Sequence, residues 1–437
     1  MDPVAGPTQV TTHAAVADGA AAAWPAWWQG PGVLHRFISD LVAGEAARLR
    51  PGRSSLPLLP WPADMALDAD GLGLDSLERL DIASALAAAL HLHESGLEDL
   101  LLARRQLGEW VGVASESLDH FSARLSFHTS GSSGQPKACD HALAHLQQEV
   151  DHLAQVLSTP ARPCQRVLAA VPAHHIYGFL FTVLLPARLG LPPALDLRHA
   201  TPGMLVRQLR PGDLLISHPM HWALVARHAP VLPPGVQGVS STAPCPDNLA
   251  QALVDQGLQR LVQVYGSSET AGIGWRDAVA APYQLMPHWQ PDPADPGRLL
   301  RRARDGSLHG HAPQDQLAWQ PGGVGGGLQF QVQARLDAAV QVAGTNVFPA
   351  RVRGVLCSHP QVADAAVRLM APAEGTRLKA FIVPVAGADL ARLDADLRAW
   401  AQSRLTAPEQ PRAWTFGSAL PVNAQGKACD WPLSPPG

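Results

Sequence analysis

The chain has little in it that would staple or anchor a fold. Its five cysteines, Cys139, Cys164, Cys245, Cys357 and Cys429, are odd in number, scattered through 437 residues and without a CxxC pair. A disulfide framework and a cysteine zinc site are therefore not expected, and a reducing compartment is. Lysine is scarce, the formal net charge is −4 and the isoelectric point is near 6.5. The basic footprint of a nucleic-acid-binding protein is absent. The longest apolar run, Ile176 to Leu191, is broken by Pro186 and Arg188 and is too short to span a bilayer. The N-terminus has neither a positive n-region nor an apolar h-region. The expectation is a soluble cytoplasmic protein with no membrane and no nucleic-acid partner. Histidine pairs occur at His91/His93 and at His174/His175, but no third ligand at metal spacing joins either in the sequence.

What is present is enough apolar material, 46 %, for sizeable cores, and length for two to four domains. Residues 1–30, rich in Ala, Pro, Thr and Gly, read as a disordered lead-in. Residues 31–115 read as a small all-α unit: a helix over Val33 to Leu49, a Pro-rich loop, Gly73-Leu-Asp-Ser-Leu77, and a helix over Glu78 to Leu90 with Asp75 or Ser76 as its cap. A last helix is predicted over Leu97 to Val113. From 120 to 336, short buried-strand runs (Arg166–Val171, Asp213–Ser217, Leu261–Tyr265) alternate with helical segments (Leu143–Leu157, Met204–Leu209, Asn248–Gln256), which argues for α/β layers. Residues 337–437 read as a smaller α+β unit, with strands at Ala338–Val342, Ala365–Leu369 and Leu378–Val383 and helices at Pro349–Ser358 and Leu390–Arg404.

Three motifs carry chemistry. Thr129-Ser-Gly-Ser-Ser-Gly-Gln-Pro-Lys137 places hydroxyls and glycines before a lysine. Backbone N–H groups in such a turn cradle anions, and lysine suits phosphate as a point charge. It is not a Walker A loop, because Pro136 stands where that pattern needs its second glycine. A flexible connector is the plain alternative. Tyr265-Gly-Ser-Ser-Glu-Thr270 follows a strand, where ligand crevices of α/β sheets lie. Glu269 suits a magnesium ion and Tyr265 suits base stacking; the alternative is a helix start capped by Ser267 or Ser268. Near the end, Pro421-Val-Asn-Ala-Gln-Gly-Lys427 presents Lys427 on a tight turn, where a solvated lysine is the usual reading.

In this order and spacing, residues 120 to 430 resemble the adenylate-forming superfamily of acyl-CoA synthetases, aryl-CoA ligases, nonribosomal adenylation domains and luciferases. The resemblance implies a large layered α/β ATP-binding domain followed by a small mobile α+β lid. It implies that Thr129, Ser130, Gly131, Ser132, Ser133, Gly134 and Lys137 close over the ATP β- and γ-phosphates. Ser241, Thr242, Ala243 and Pro244 would lie along the adenine, on which Tyr265 stacks beside Gly266. Thr270 and Glu269 would meet the α-phosphate and Mg²⁺, and Asp315 and Arg335 the ribose. Asp337 would be the hinge, Gly344 part of the thiol tunnel, and Lys427 the bridge between carboxylate and α-phosphate. Val171-Pro-Ala-His-His-Ile-Tyr-Gly-Phe179 resembles the segment that opens the acyl pocket. His175 would gate it and Tyr177 and Phe179 line it, unless these are core aromatics.

The sequence also departs from the pattern. Ala312-Pro-Gln precedes Asp315 where threonine-glycine is usual, Gln341 replaces a lysine, Arg351 and Arg353 replace an acidic pair, and the usual N-terminal subdomain is not recognisable. Gly73-Leu-Asp-Ser-Leu77 resembles the phosphopantetheine site of acyl carrier proteins, which would make 31–115 a carrier-like module with Ser76 as attachment residue. The expected activity is an ATP-dependent acid–thiol ligase. It would form an acyl-adenylate and pass the acyl group, an aryl acid such as a hydroxybenzoate or cinnamate, to CoA or to the phosphopantetheine of an acyl carrier protein. The alternatives are a stand-alone aryl- or acyl-CoA ligase with a structural front module and a catalytically weak nucleotide-binding scaffold.

Overall fold

The centre of the fold is set by runs of apolar residues bounded by turn formers. Arg166–Ala169, Asp213–Ser217, Gln237–Ser240 and the first half of Arg260–Ser267 are strands buried at nearly every position, as in parallel sheets covered on both faces. With Leu195–Asp196 at the edge they pair in parallel. Beyond Arg260–Ser267 the direction alternates: Ala271–Arg276, Tyr283–Leu285, Leu328–Arg335 and Asp315–Pro321 join antiparallel, completing a nine-stranded sheet. The change of direction falls on the Tyr265–Ser267 segment, where the register slips between Tyr265 and Gly266. A bulge there re-aims side chains at the end of the strand.

This computed structural model describes residues 23–50, 56–130, 136–229, 231–322, 327–335, 339–421 and 429–433, with the backbone alone at 129, 130, 136, 334, 335 and 391. Helix Leu143–Leu157 covers one face of the sheet with Leu146, Val150, Leu153 and Leu157. Pro219–His228 and Asp247–Asp255 cover the other, where the Trp222 indole donates to the Val239 carbonyl over 3.1 Å. The apolar run after His175 forms Ile176–Phe179, a π-helical turn Leu180–Leu184 and Leu185–Leu189, all within the core. Among the described residues no helix is long and apolar enough to cross a membrane.

The front helices are Val33–Leu49 and Ser76–Leu90. Asp75, not Ser76, caps the second, accepting from the Leu77 and Glu78 amides while Glu78 reaches back. The single helix predicted over Leu97 to Val113 is instead Leu100–Ala103 and Leu107–His120, because Gln106 turns extended and caps the second piece. These helices do not close a core of their own, as a separate carrier-like module would. Trp27 and Phe37 pack on Phe179 with ring centroids 4.9 and 5.9 Å apart, and one apolar cluster runs from the helices into the sheet. Asp40, on the buried face of Val33–Leu49, accepts from the Ala173 amide (2.6 Å) and from Arg198 (2.5 Å). Arg36 donates to the Val171 carbonyl over 3.0 Å. The front helices thus clamp the segment Val171–Ala173. Burial pushes the Asp40 carboxyl up, against the pull of Arg198 and Arg36.

The C-terminal unit has its own core, with Val362–Leu369, Leu378–Pro384 and Ala413–Phe416 in one sheet against Pro349–Cys357 and Leu390–Arg404. It is joined through the hairpin Val340–Val342/Thr345–Val347. A large α/β domain followed by a small α+β domain is the order the sequence predicts.

Candidate active site

Two cavities meet at the bulged strand end. One, of about 380 Å³, is lined by His128, Glu149 and the segments Val171–Pro172 and His175–Gly178 on one side. Its other walls are Ser241–Thr242, Val264–Ser268, Ala271–Ile273, Pro313–Asp315 and, from the C-terminal unit, Gln341 and Ala343–Asn346. The second, of about 510 Å³, is walled by Thr242–Pro244, Arg276, Tyr283 and Gln331–Gln333. Thr242, Val264, Tyr265, Gly266, Asp315 and Gln341 line both and form the junction.

At the junction the Tyr265 hydroxyl donates to the Asp315 carboxylate over 2.8 Å. Its ring stands edge-on to Phe330, which stacks on Tyr283 at 5.5 Å, and the Arg276 guanidinium lies 4.9 Å above Tyr283. Flat rings beside a strand-end carboxylate suit a purine and its ribose. Arg335 pairs with Asp315 across the two strands, which brings both predicted ribose contacts to one place in the backbone. Ser241, Thr242, Ala243, Pro244, Tyr265, Gly266 and Asp315 therefore come together as the sequence predicts.

Ser267–Thr270 is the turn between antiparallel strands rather than a helix start. Strand pairing on both sides, not a cap, fixes it. Thr270 is buried, and its hydroxyl donates to the Ala271 carbonyl over 2.9 Å. The Glu269 carboxylate makes no hydrogen bond or ion pair among the described residues, and neither residue lines the cavity walls. A carboxylate on a turn suits a hard cation that takes oxygen ligands.

His175 and Tyr177 line the first cavity. Phe179 does not: it is wholly buried against Trp27, Phe37 and Phe127, because its helix turns it toward the front helices. Gly178 and Phe181 take its place in the wall. The His175 ring opens onto the cavity while protein surrounds it, and this enclosure, with Arg198 adding to it, lowers its pKa to about 4. The Tyr177 hydroxyl donates to the Ser217 carbonyl over 2.8 Å, and burial raises its pKa well above the usual value. Gly344 lines the cavity in a left-handed conformation, where a Cβ would stand 2.8 Å from the Thr242 hydroxyl.

The predicted phosphate loop joins two paired strands, Arg124–Ser130 and Pro136–Ala142, with Thr129 opposite an exposed Lys137. Gly131, Ser132, Ser133 and Gly134 lie outside the described residues, as do Asp337 and Lys427, and the side chains of Thr129, Ser130 and Arg335 are not described. The closing bond of the Lys427 loop is described: the Cys429 amide donates to the Pro421 carbonyl over 3.1 Å. Ser76 is exposed. His91 and His93 gain a third neighbour that the sequence did not show. The turn Leu92–Glu94 brings Glu94 close, so that one ligand atom of each lies within 4.8 Å of the others. One ring nitrogen of His91, however, already bonds Ser126.

Several wall residues carry no motif. Glu149 is the clearest, a lone carboxylate among Leu146, Val150 and Leu153 on the apolar face of its helix, and that misplacement is a readable signal. It is wholly buried; the Gly272 amide donates to its two oxygens at 3.0 and 3.1 Å, and burial raises its pKa to about 7 against the pull of Arg301. Gln341, in the lysine's place, lines both cavities and donates to Asn346. Thr242, Ala271 and Ala343 hold positive φ of 75°, 59° and 54° at the cavity wall. Strain of this kind gathers at functional sites, and nothing in composition foretells it.

Residues 80–301 match the AMP-binding enzyme family, and 353–427 match the AMP-binding enzyme C-terminal domain. The first match begins inside the helix Ser76–Leu90. The chain is 40 % identical to a 4-coumarate–CoA ligase of Rhodobacter capsulatus over 91 % of its length and 100 % of that protein's. It is 39 % identical to another from Halorhodospira halophila, over 90 % and 97 %. In fold it is similar to the amide bond synthetase McbA from Marinactinospora thermotolerans, with a TM-score of 0.55, 19 % identity and coverage of 91 % and 93 %. The chain belongs to the AMP-binding enzyme family and is an AMP-forming acyl-CoA ligase.

Proposed function

We propose that the chain activates an aryl acid of the hydroxycinnamate type as its adenylate and transfers the acyl group to CoA. The observation that carries this reading is the junction at Tyr265 and Asp315. There a cavity walled by Arg276, Tyr283 and Thr242–Pro244 meets one walled by Tyr177, Phe181, Ile273 and Gly272. The relatives named as 4-coumarate–CoA ligases support the aryl acid and the CoA acceptor.

In this reading the acid's carboxylate approaches the α-phosphorus of ATP at the junction. Lys427 neutralises the two facing anions and the charge that develops between them. Glu269 would hold Mg²⁺, whose charge would offset that of the phosphates. Pyrophosphate leaves and a mixed anhydride remains, which a closed cavity keeps from water. His175, which lines the first cavity, would sit at the acid's carboxyl end. Rotation about Asp337 then withdraws Lys427 and brings Gly344 into line for the thiol.

Transfer to a carrier arm is the second reading, and exposure of Ser76 at a helix start favours it. Incubation with CoA and a phosphopantetheinyl transferase would add the mass of one arm to the chain; an unchanged mass removes it. The test of the main reading is ATP–pyrophosphate exchange over an acid panel, followed by mass detection of acyl-CoA. Exchange with hydroxycinnamates and formation of their CoA thioesters is the expected result. Exchange with none of the acids would leave the scaffold alternative.

A further inference from the structure

We propose that His91, His93 and Glu94 form a binding site for a divalent transition-metal cation of the zinc type. None of the three lines either cavity, and the site does not depend on which acid the chain activates.

The three residues share one short stretch of chain. His91 ends the helix Ser76–Leu90 in a left-handed conformation at φ 53°. The turn Leu92–Glu94 follows at once, with the Glu94 amide donating to the His91 carbonyl over 3.0 Å. This reversal sets two exposed side chains, His93 and Glu94, beside the buried His91. The two imidazole rings stand 5.4 Å apart between centroids, and His93 Nε2 is 3.9 Å from Glu94 Oε1. One ligand atom of each residue lies within 4.8 Å of the other two. Atoms bound to a single zinc ion are at most about 4.2 Å apart, since each lies about 2.1 Å from the metal. Rotation of the exposed His93 and Glu94 side chains is enough to close that difference.

The hydrogen bonds behind His91 decide which nitrogen it offers. The Ser126 hydroxyl donates its one proton to the Asp140 carboxylate over 2.5 Å, and a carboxylate can only accept. Ser126 Oγ therefore accepts from His91 Nε2 over 2.9 Å. The ring proton is thus on Nε2, and Nδ1 keeps its lone pair. Among the described residues Nδ1 has no hydrogen-bond partner. An imidazole whose far N–H is held by a hydrogen-bonded group backed by a carboxylate is how metal centres orient their histidine ligands. The support is built into the sheet, because Ser126 and Asp140 face each other across the strands Arg124–Ser130 and Pro136–Ala142. The ionised groups that act on His91 are Asp140 and Glu94 against Arg124, a balance that favours a cation. Two imidazoles and one carboxylate suit Zn²⁺, Co²⁺ or Ni²⁺, whereas Mg²⁺ takes oxygen ligands. The site would select a different ion from the one that accompanies ATP, and would pin the end of the helix Ser76–Leu90 to the strand pair.

The test takes the full chain, strips it of metal with EDTA, desalts it and titrates it with ZnCl₂ by calorimetry. One equivalent of Zn²⁺ is expected to bind and to raise the melting temperature, and excess Mg²⁺ should not displace it. Ser126→Ala, which removes the group that orients His91, should weaken Zn²⁺ binding by about tenfold or more. His93→Ala and Glu94→Gln, which remove ligands at exposed positions, should weaken it at least as much. Without metal, the variants at 93 and 94 should melt at the wild-type temperature and keep wild-type pyrophosphate exchange, so that lost binding is not lost folding. A wild-type chain that binds no Zn²⁺ would overturn the proposal, and this arm needs no variant to fold. Zn²⁺ binding that either His93→Ala or Glu94→Gln leaves at wild-type affinity would overturn it too. The ion would then lie elsewhere, and the His91–Ser126–Asp140 chain would serve only to tie the helix to the strands.

Discussion

The Tyr265 hydroxyl and the Asp315 carboxylate, 50 residues apart in the chain, meet at 2.8 Å where the two cavities join. The strand Arg260–Ser267 delivers the tyrosine and the edge strand Asp315–Pro321 delivers the aspartate, with the strands Ala271–Arg276, Tyr283–Leu285 and Leu328–Arg335 between them in the sheet. The bond fixes the carboxylate that would receive the ribose hydroxyls.

Tyr265→Phe keeps the ring and removes this bond. A hydrogen bond to a charged group contributes about 1.5–3 kcal/mol, so KM for ATP is expected to rise by about tenfold or more. The melting temperature should fall by a few degrees, no more, because the ring remains packed on Phe330. An unchanged KM for ATP would mean that Asp315 does not need the tyrosine to hold its place.

Burial also sets how stability responds to pH. His145, His221 and His311 have pKa values lowered to about 4 and His288 to about 2, in each case chiefly by burial. Their unfolded value is about 6.5, so the unfolded chain takes up protons first and stability falls as pH drops from 6.5 toward 4. Glu149 acts in the opposite sense. Its raised value, about 7, means that the folded state holds the extra proton between about 4.5 and 7 and loses stability as pH rises through that window. The wild-type urea midpoint should therefore fall on acidification below pH 6.5. The stability of Glu149→Gln relative to wild type should increase from pH 5 to pH 8.

Lys379 is wholly buried in the small domain, where its ammonium donates to Glu374 (2.7 Å), Asp430 (3.1 Å) and the Trp431 carbonyl (2.8 Å). It holds the tail that begins two residues after Lys427. Lys379→Met should leave these acceptors without their cation and cost about 3–5 kcal/mol in stability. Adenylation should fall more than ATP binding does, because the anchor of the Lys427 loop is lost while the nucleotide cavity is untouched. Equal loss of both would assign Lys379 to folding alone.

Much of this was legible in the sequence, for a physical reason that differs from part to part. Buried strands such as Asp213–Ser217 and amphipathic helices such as Leu143–Leu157 are local patterns, and both occur with the predicted bounds. Tyr265 lies in a motif at a strand end, whereas Ser241–Pro244 and Asp315 come from the resemblance alone; the fold brings all of them to the cavity walls. Phe179 was misread because a helical turn, invisible in a motif, decides which of two neighbouring rings faces a cavity. What the front helices pack on is likewise not decided by a motif. Gly73-Leu-Asp-Ser-Leu77 describes a capped helix start, and only Asp40 and Phe37, buried against the sheet domain, reveal what that helical layer packs on. Glu149 required both levels, a charge out of place on an apolar face and the cavity that it meets.

Gly344 tests the second half-reaction by itself. It lines the first cavity at φ 81°, and an alanine there would adopt a left-handed conformation and press on the Thr242 hydroxyl at 2.8 Å. Backbone strain of this kind costs about 1–3 kcal/mol. Because Gly344 belongs to the C-terminal side of the cavity, Gly344→Ala should slow thioester formation by about tenfold or more while acid-dependent pyrophosphate exchange persists. Parallel loss of both half-reactions would place Gly344 in the adenylation geometry rather than on the path of the thiol.

Asp40 is the strictest probe of the front helices. Its carboxylate is buried between the Ala173 amide and Arg198, with Arg36 on the same helix turned to Val171 and Thr182. Asp40→Ala would leave a buried amide unpartnered and Arg198 with Asp196 as its remaining carboxylate. Removing one partner of a buried pair costs about 3–5 kcal/mol. The segment Val171–Tyr177, which lines the acid cavity, would lose its clamp. KM for the acid should then rise more than KM for ATP, since the nucleotide cavity touches neither Asp40 nor Ala173. A helical layer that merely covered the sheet would lower stability and leave the two KM values in their wild-type ratio; a layer that holds the acid pocket changes that ratio.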